Sequence, residues 1–184
     1  MKITNVMIVL LLTLILCTAV YGQDKTGPRP DRSFDDIRAR GVIIVGIDDA
    51  FPPMAFRDSA TKEIVGLDID LARNAVQRLG LTIEFKPIAW DKTIPRLNTG
   101  EVDIVWSGLS ILPERENQML FSQPYLESHQ VILVKKGSNI ARKSDLKEKR
   151  VGFQRGASSE KWIGSDPELI DSLKELAAYR NNKL

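Results

Sequence analysis

Short apolar runs alternate with stretches of helical periodicity in the middle of this chain, and this alternation constrains the fold more than any other feature. The runs are continuously aliphatic, or alternate apolar with polar residues, as buried strands do, whereas the stretches between them repeat apolar residues every three or four positions. The five segments are, in order, a strand at 42–45, a helix at 68–79, a strand at 81–85, a helix at 91–97 and a strand at 102–106. This order predicts a parallel sheet with crossover helices.

A second block, after residue 128, repeats the α/β rhythm less completely. The apolar run at 130–134 predicts a further strand, and residues 144–146 and 150–153 predict a short helix and another strand. The pair Asp166-Pro167 is typical of a helix start. We therefore expect one long helix from there towards Tyr179.

The N-terminus is typical of an export signal. Lys2 supplies a positive charge, residues 6–16 are almost entirely aliphatic, and residues 20–22 offer small side chains at the cleavage positions. The apolar run is shorter than the roughly 20 residues that a membrane span needs. We therefore expect a signal peptide at 1–22 and a mature protein that is periplasmic or extracellular. An uncleaved anchor and a lipid-modified Cys17 are the alternatives.

The composition argues against several classes of function. Cys17 is the only cysteine, His129 is the only histidine, and the formal net charge is +2. A mature chain beginning at Gln23 would have no disulfide and no thiol nucleophile, and one histidine leaves little room for a histidine-based triad or metal site. The near-neutral charge gives no reason to expect nucleic acid as a partner. We expect neither a metal nor a cofactor.

Polar and aromatic residues fall at or just beyond the ends of the predicted strands. In open α/β sheets, ligands bind beyond the carboxyl ends of the strands, so these residues are candidates for one crevice. They are Asp48, Phe51, Trp90, Ser107, Gly108, Ser110 and Arg115. An arginine clamps a carboxylate, and aromatic faces hold an apolar stem or a cation, so the set suits a zwitterion with a polar side chain. Taken singly, Arg115 also fits a surface ion pair, Trp90 plain core and Asp48 a turn cap.

Short motifs follow one another over nearly everything after residue 33. They are Val-Gly-Ile-Asp at 45–48 with Phe-Pro-Pro at 51–53, Val-Gly-Leu-Asp-Ile-Asp-Leu-Ala at 65–72, Trp-Asp at 90–91 with Ile-Pro at 94–95 and Leu97, Gly-Glu-Val-Asp at 100–103, Ser-Gly-Leu-Ser-Ile-Leu-Pro-Glu-Arg at 107–115, Phe-Ser-Gln-Pro-Tyr at 121–125, and Lys-Arg-Val-Gly-Phe-Gln at 149–154 with Gly156. In order and spacing they resemble the bacterial extracellular solute-binding proteins of polar amino-acid ABC transporters (family 3).

The resemblance implies an α/β fold of two lobes, the type II periplasmic-binding-protein fold, with a parallel sheet and flanking helices in each lobe. It places lobe 1 at 23–127, a hinge near 126–130, and lobe 2 at 128–184. Relatives run on for a further segment, so the resemblance implies a truncated or incomplete member whose second lobe is partial. Such a chain is expected to bind its ligand more weakly than a full-length relative, and its second lobe is expected to be more mobile than its first.

The resemblance also implies which groups would hold the α-carboxylate and α-ammonium of an amino acid. Arg115 would hold the carboxylate, helped by the Ser110 N–H. The Gly108 carbonyl and the Ser110 hydroxyl would meet the ammonium, and Ser158 would complete the carboxylate site. The second lobe would contribute Gln154, Gly156, Ala157 and Ser158. Two residues depart from the family pattern: Leu112 stands where threonine is usual, and Arg155 where a small residue is common.

The remaining site residues would select the ligand side chain. Phe51 and Trp90 would bracket it and Asp48 would reach its polar end, which favours a cationic or amide side chain, as in arginine, lysine, histidine or glutamine. The implied function is the substrate-binding component of an ABC uptake system, a monomer whose partner is a membrane permease. An exported dehydratase or cell-wall lyase on the same fold would need an acid/base pair, and Asp48 is the one plausible cleft carboxylate, so we expect no enzyme. A ligand-sensing domain is the other alternative and would need a transmembrane segment.

Overall fold

The computed structural model describes residues 33–181. The predicted signal peptide at 1–22, its cleavage site and Cys17 lie outside this range. The chain divides into two units, 1–34 and 35–184, and the sheets and the site described below belong to the second. Over residues 33–181, no helix combines the length and apolarity that a membrane crossing requires.

Six α-helices and eight strands make up the described residues, together with two short 3₁₀ turns at Trp90–Lys92 and Lys143–Leu146. In chain order they are α1 (Ser33–Arg40), β1 (Val42–Ile47), β2 (Ala50–Phe51), β3 (Ala55–Arg57), β4 (Ile64–Val65), α2 (Leu67–Arg78), β5 (Thr82–Pro87), α3 (Thr93–Asn98), β6 (Ile104–Val105), α4 (Pro113–Glu116), β7 (Arg150–Gln154), α5 (Ser158–Gly164), α6 (Pro167–Ser172) and β8 (Glu175–Tyr179).

The N-terminal sheet is parallel, with strand order β5-β1-β6, as the alternation of strands and helices predicts. Strand β1 lies in the centre, where Val45 and Ile47 are fully buried and pack in one cluster with Ile69 of α2. Burial on both faces explains the continuous apolar run. This central position also directs the end of β1, and therefore Asp48, towards the edge where ligands bind in such sheets.

Strand β6 is shorter than expected, because only Ile104–Val105 pair with β1. The two preceding residues have other roles. Val102 is buried and lies against Gly46, whereas the Asp103 carboxylate accepts the Ile44 N–H at 2.7 Å and pairs with Arg40. The carboxylate thus replaces one rung of the ladder.

A second small sheet, β2-β3-β4, is antiparallel and was not expected. Its strands have two or three residues each, which is too short to show an alternation of apolar and polar side chains. It lies between β1 and α2 in the sequence. Phe51 ends its first strand, three residues after Asp48.

The C-terminal sheet pairs β7 with β8 in parallel, with α5 and α6 between them in sequence. The expected long helix towards Tyr179 is wrong: α6 ends at Ser172, and Glu175–Tyr179 form β8. Backbone hydrogen bonds from Glu148 N–H to the Ser172 carbonyl and from Lys174 N–H to the Lys149 carbonyl turn the chain alongside β7. Strand pairing therefore overrides the helical preference of Leu-Ala-Ala.

The expected strand at 130–134 is also wrong, since these residues have no regular structure. The side chains from Val131 to Val134 are 74%, 52%, 84% and 44% exposed. A strand exists only where a neighbour takes up its N–H and C=O groups, and no described strand lies beside this run. Its apolar, β-branched composition indicates a strand without supplying that neighbour.

Candidate functional site

A cavity of about 140 Å³ lies between the strand ends of the N-terminal sheet and the residues that follow β7. All predicted site residues except Gly156 line it: Asp48, Phe51, Trp90, Ser107, Gly108, Ser110, Arg115, Gln154, Ala157 and Ser158. Ser128, Gln130 and Ser159 line it too and were missed as site residues. The first two fall in the segment expected to be the hinge, and Ser159 is the direct neighbour of a predicted residue.

Asp48 forms one polar wall of the cavity directly after β1. Its side chain is buried, and Oδ1 accepts the Ala50 N–H at 3.0 Å, so it also caps the turn there. Oδ2 accepts a 2.6 Å hydrogen bond from Gln154 Nε2 at the end of β7. The Asp48 N–H donates to Ser107 Oγ at 3.1 Å, which ties the ends of β1 and β6 together. The carboxylate is therefore held from both sides of the cavity.

Arg115 supplies a buried positive charge from the short helix α4, which starts at Pro113. One terminal nitrogen donates to the Ser110 carbonyl at 2.9 Å and the other to the Gly156 carbonyl at 2.8 Å. Burial lowers the pKa of the guanidinium, and the neighbouring Glu114 partly opposes this shift. Glu114 itself pairs with Lys161, whereas both hydrogen bonds of the buried Arg115 go to carbonyls.

Phe51 and Trp90 form the aromatic walls. Trp90 is 8% exposed and begins the first 3₁₀ turn, so it is both well packed and part of the cavity surface. Phe51 lies against Gly108, whose φ is +58°, and a Cβ at that position would lie only 2.7 Å from Phe51 Cε1. Only glycine allows this contact without moving the ring.

The segment after β7 closes the cavity from the opposite side. Ser158 Oγ accepts hydrogen bonds from Ser110 Oγ at 3.3 Å and from Gln130 Nε2 at 3.0 Å. Gly156 lies in a neighbouring cavity that shares Trp90 and Arg115, and it contributes its carbonyl to Arg115. At φ +77°, its Cα approaches the Asp91 backbone so closely that a Cβ would lie 2.8 Å from Asp91 Cα.

Two residues that depart from the family pattern lie away from the cavity surface. Arg155 is exposed and its N–H donates to the Tyr179 carbonyl, so its charge does not line the cavity. Leu112 is buried and precedes α4. Within residues 33–181, the acidic side chains and His129 form no cluster with the makings of a metal site.

The model for the bacterial extracellular solute-binding proteins, family 3, matches residues 43–151. The chain belongs to this family. The match covers the N-terminal sheet, α4 and the start of β7, and therefore most of the residues that line the cavity.

Family relatives bind different amino acids. The chain is 31% identical to the L-cystine-binding protein TcyJ of Escherichia coli (strain K12), over 73% of this chain and 51% of that protein. It is 40% identical to the probable histidine-binding protein of Neisseria gonorrhoeae, over 83% and 58% of the two chains. It is 37% identical to the ABC transporter arginine-binding protein 1 of Escherichia coli (strain K12), over 66% and 49%. The chain thus spans about half the length of the curated relatives it matches.

Solved structures show the same fold. An ancestral amino-acid-binding protein, AncCDT-1, a precursor of cyclohexadienyl dehydratase, matches with a TM-score of 0.74 at 38% identity over 82% of this chain and 66% of that chain. An ancestral arginine-binding protein bound to arginine matches with a TM-score of 0.71 at 40% identity, over 77% and 62%. The architecture is therefore the two-lobed α/β fold of the type II periplasmic-binding proteins, with less of the second lobe than these structures contain.

Proposed function

We propose that the chain is the substrate-binding component of an amino-acid ABC uptake system and that it captures a polar L-amino acid in the cavity between two lobes. The observation that carries the proposal is that the buried guanidinium of Arg115 and the buried carboxylate of Asp48 line one small cavity. Two aromatic rings, Phe51 and Trp90, line the same cavity. A zwitterion with a donor at the end of its side chain complements both charges.

Arg115 is the proposed contact for the ligand α-carboxylate. Its two terminal nitrogens donate to the Ser110 and Gly156 carbonyls, which fixes the plane of the guanidinium and leaves further N–H donors of the five it carries. The fixed plane keeps the entropy loss on binding small. Ser110 and Ser158, which already share a hydrogen bond, supply hydroxyl groups beside it, and the Gly108 carbonyl is the proposed acceptor for the α-ammonium.

The side chain of the ligand is proposed to lie between Phe51 and Trp90, with its polar end at Asp48. A carboxylate can only accept hydrogen bonds, so Asp48 favours a cationic or amide group on the ligand and disfavours an acidic one. Relatives named for arginine and histidine support a cationic ligand, although the relative named for cystine shows that the family accepts other amino acids.

The protein is proposed to bind without chemistry. Catalysis of an elimination needs an acid and a base placed around the substrate. Among the described lining residues, Asp48 is the one carboxylate, and both of its oxygens already accept hydrogen bonds. The likeness to a precursor of a dehydratase is the observation that favours the enzyme alternative. That precursor is itself described as an amino-acid-binding protein.

The cellular setting follows from the same proposal. Export through the predicted signal peptide at 1–22 would place the protein outside the cytoplasm, which agrees with the family's description as extracellular. A monomer with lobe 1 at 23–127 and lobe 2 from 128 would present the loaded cleft to a membrane permease, with residues 126–130 as the connection between lobes.

Isothermal titration with a panel of amino acids tests the function. Arginine, lysine, histidine or glutamine should bind more tightly than glutamate and aspartate. The variant Asp48→Asn keeps the shape and removes the charge, so it should weaken arginine and lysine more than glutamine. A panel in which glutamate or aspartate binds best, or in which the incubated amino acid is recovered chemically changed, would contradict the proposal.

A further inference from the structure

A buried carboxylate lies directly behind the cavity wall. Asp68, in the first turn of α2, has no exposed surface, and its Oδ1 accepts a 2.8 Å hydrogen bond from the Tyr125 hydroxyl. The rings of Tyr125 and Trp106 lie 6.0 Å apart between centroids, in a tilted arrangement. Two buried polar atoms in this group, Asp68 Oδ2 and Trp106 Nε1, have no hydrogen-bond partner among the described residues.

These side chains border two segments that line the cavity. Trp106 is followed directly by Ser107 and Gly108, and Tyr125 stands just before the stretch that includes Ser128. Burial raises the pKa of Asp68, and the hydrogen bond from the Tyr125 hydroxyl opposes that rise, as do the nearby Gly108 N–H and Trp106 indole.

Gly108, two residues after Trp106, connects this group to an aromatic wall of the cavity. Gly108 has no side chain, and the Phe51 ring packs where its Cβ would be. A displacement of the Gly108 backbone therefore moves an aromatic wall of the cavity as well. Because buried polar groups without partners are costly, the fold keeps Asp68 at this place at the expense of stability.

We infer that Asp68 is a positioning residue for the ligand cavity. Through Tyr125 and Trp106 it fixes the Ser107–Gly108 backbone and the start of the connection at 126–130, without touching the ligand itself. The inference deepens the proposed function, on which its ligand-binding readout rests.

Two conservative variants of the full chain test it, with a matched control on the same helix. Tyr125→Phe removes only the hydroxyl, and Asp68→Asn keeps the shape of the carboxylate. Asp70→Asn, on the exposed face of α2, is the control. Both test variants should shift the Ser107 and Gly108 amide resonances in the ligand-free protein, whereas the control should not. Both should weaken L-arginine binding by about tenfold, and the double variant by no more than the larger single effect, because Tyr125→Phe removes the donor of the Tyr125–Asp68 hydrogen bond and Asp68→Asn replaces its charged acceptor with a weaker neutral one.

The outcomes separate the inference from the proposed function. If the wild-type chain binds no amino acid, the proposed function fails, and the two amide resonances still decide the inference. If Asp68 had a purely structural role, its substitution would lower the unfolding free energy and leave the Ser107 and Gly108 resonances and the arginine Kd unchanged. That result would overturn the inference. If Asp68→Asn does not fold, Tyr125→Phe decides alone.

Discussion

Arg115 shows how much of the site depends on one side chain that the fold keeps out of water. Its position soon after a strand end made it a candidate, but neither its burial nor its bond to the Gly156 carbonyl, 41 residues further along, has a signal in the sequence. A buried guanidinium with fixed geometry offers far more to a carboxylate than the exposed ion pair considered as its alternative.

Removing the guanidinium should therefore nearly abolish ligand binding. Breaking one partner of a buried charge pair costs roughly 2–5 kcal/mol, so we expect Arg115→Ala to bind arginine too weakly for calorimetry to measure accurately. Arg115→Lys restores the charge without the fork of donors and should recover only part of the affinity. Wild-type affinity in the alanine variant would show that the carboxylate binds elsewhere.

Gly108 allows a second prediction, in which backbone strain and steric contact are separated. Gly108→Ala places a methyl group against Phe51 at a positive φ, whereas Gly100→Ala meets nothing within 4 Å at φ +72°. Both variants carry the strain of a left-handed alanine, about 1 kcal/mol or more. Only Gly108→Ala should also weaken ligand binding, measured by titration. Equal losses of affinity in the two variants would contradict a role for the Phe51 contact.

The sheet elements show which parts of a fold a sequence can specify by itself. Strand β1 was predictable because burial on both faces gives a continuous apolar run, and helix α2 because one face of a long periodic pattern lies in the core. Residues 130–134 and 175–179 were mispredicted in opposite directions. The first is an apolar run without a neighbour, and the second is a helix-prone run that has β7 as its neighbour. In both runs, the presence or absence of a pairing strand elsewhere in the chain determines the secondary structure, and the local sequence pattern carries no information about that strand.

Substitutions in the run at 130–134 should confirm that it contributes little to the folded core. Leu133 is 84% exposed, so Leu133→Ser should change the unfolding free energy by no more than about 0.5 kcal/mol. Ile69→Ala, at a fully buried position in the core cluster, should cost about 2–5 kcal/mol. Urea denaturation measures both. A large loss for Leu133→Ser would mean that the run packs against a neighbour in solution.

The unfolding free energy of the whole molecule should depend on pH in a way that reflects its buried carboxylate, Asp68. Most carboxylates with shifted pKa values here are lowered by hydrogen bonds or cations, as Asp58 is by the Thr61 and Ala60 N–H groups and Asp166 is by Lys143. Such groups contribute stability that is lost as the pH falls. Asp68 is opposite, since burial raises its pKa above that of the unfolded chain.

The sign of the Asp68 effect follows from proton binding. Between the unfolded pKa, about 3.9, and the raised folded pKa, the native state holds a proton that the unfolded chain has released, so the unfolding free energy falls as the pH rises through that window. Asparagine does not titrate. The unfolding free energy of Asp68→Asn minus that of the wild type should therefore increase as the pH rises from about 4, until the raised folded pKa is passed. Urea denaturation at a series of pH values above about 4 measures the difference. A flat difference for Asp68→Asn would mean that folding leaves the pKa of Asp68 unshifted, and a difference that falls with pH would mean that folding lowers it; either result would contradict the prediction.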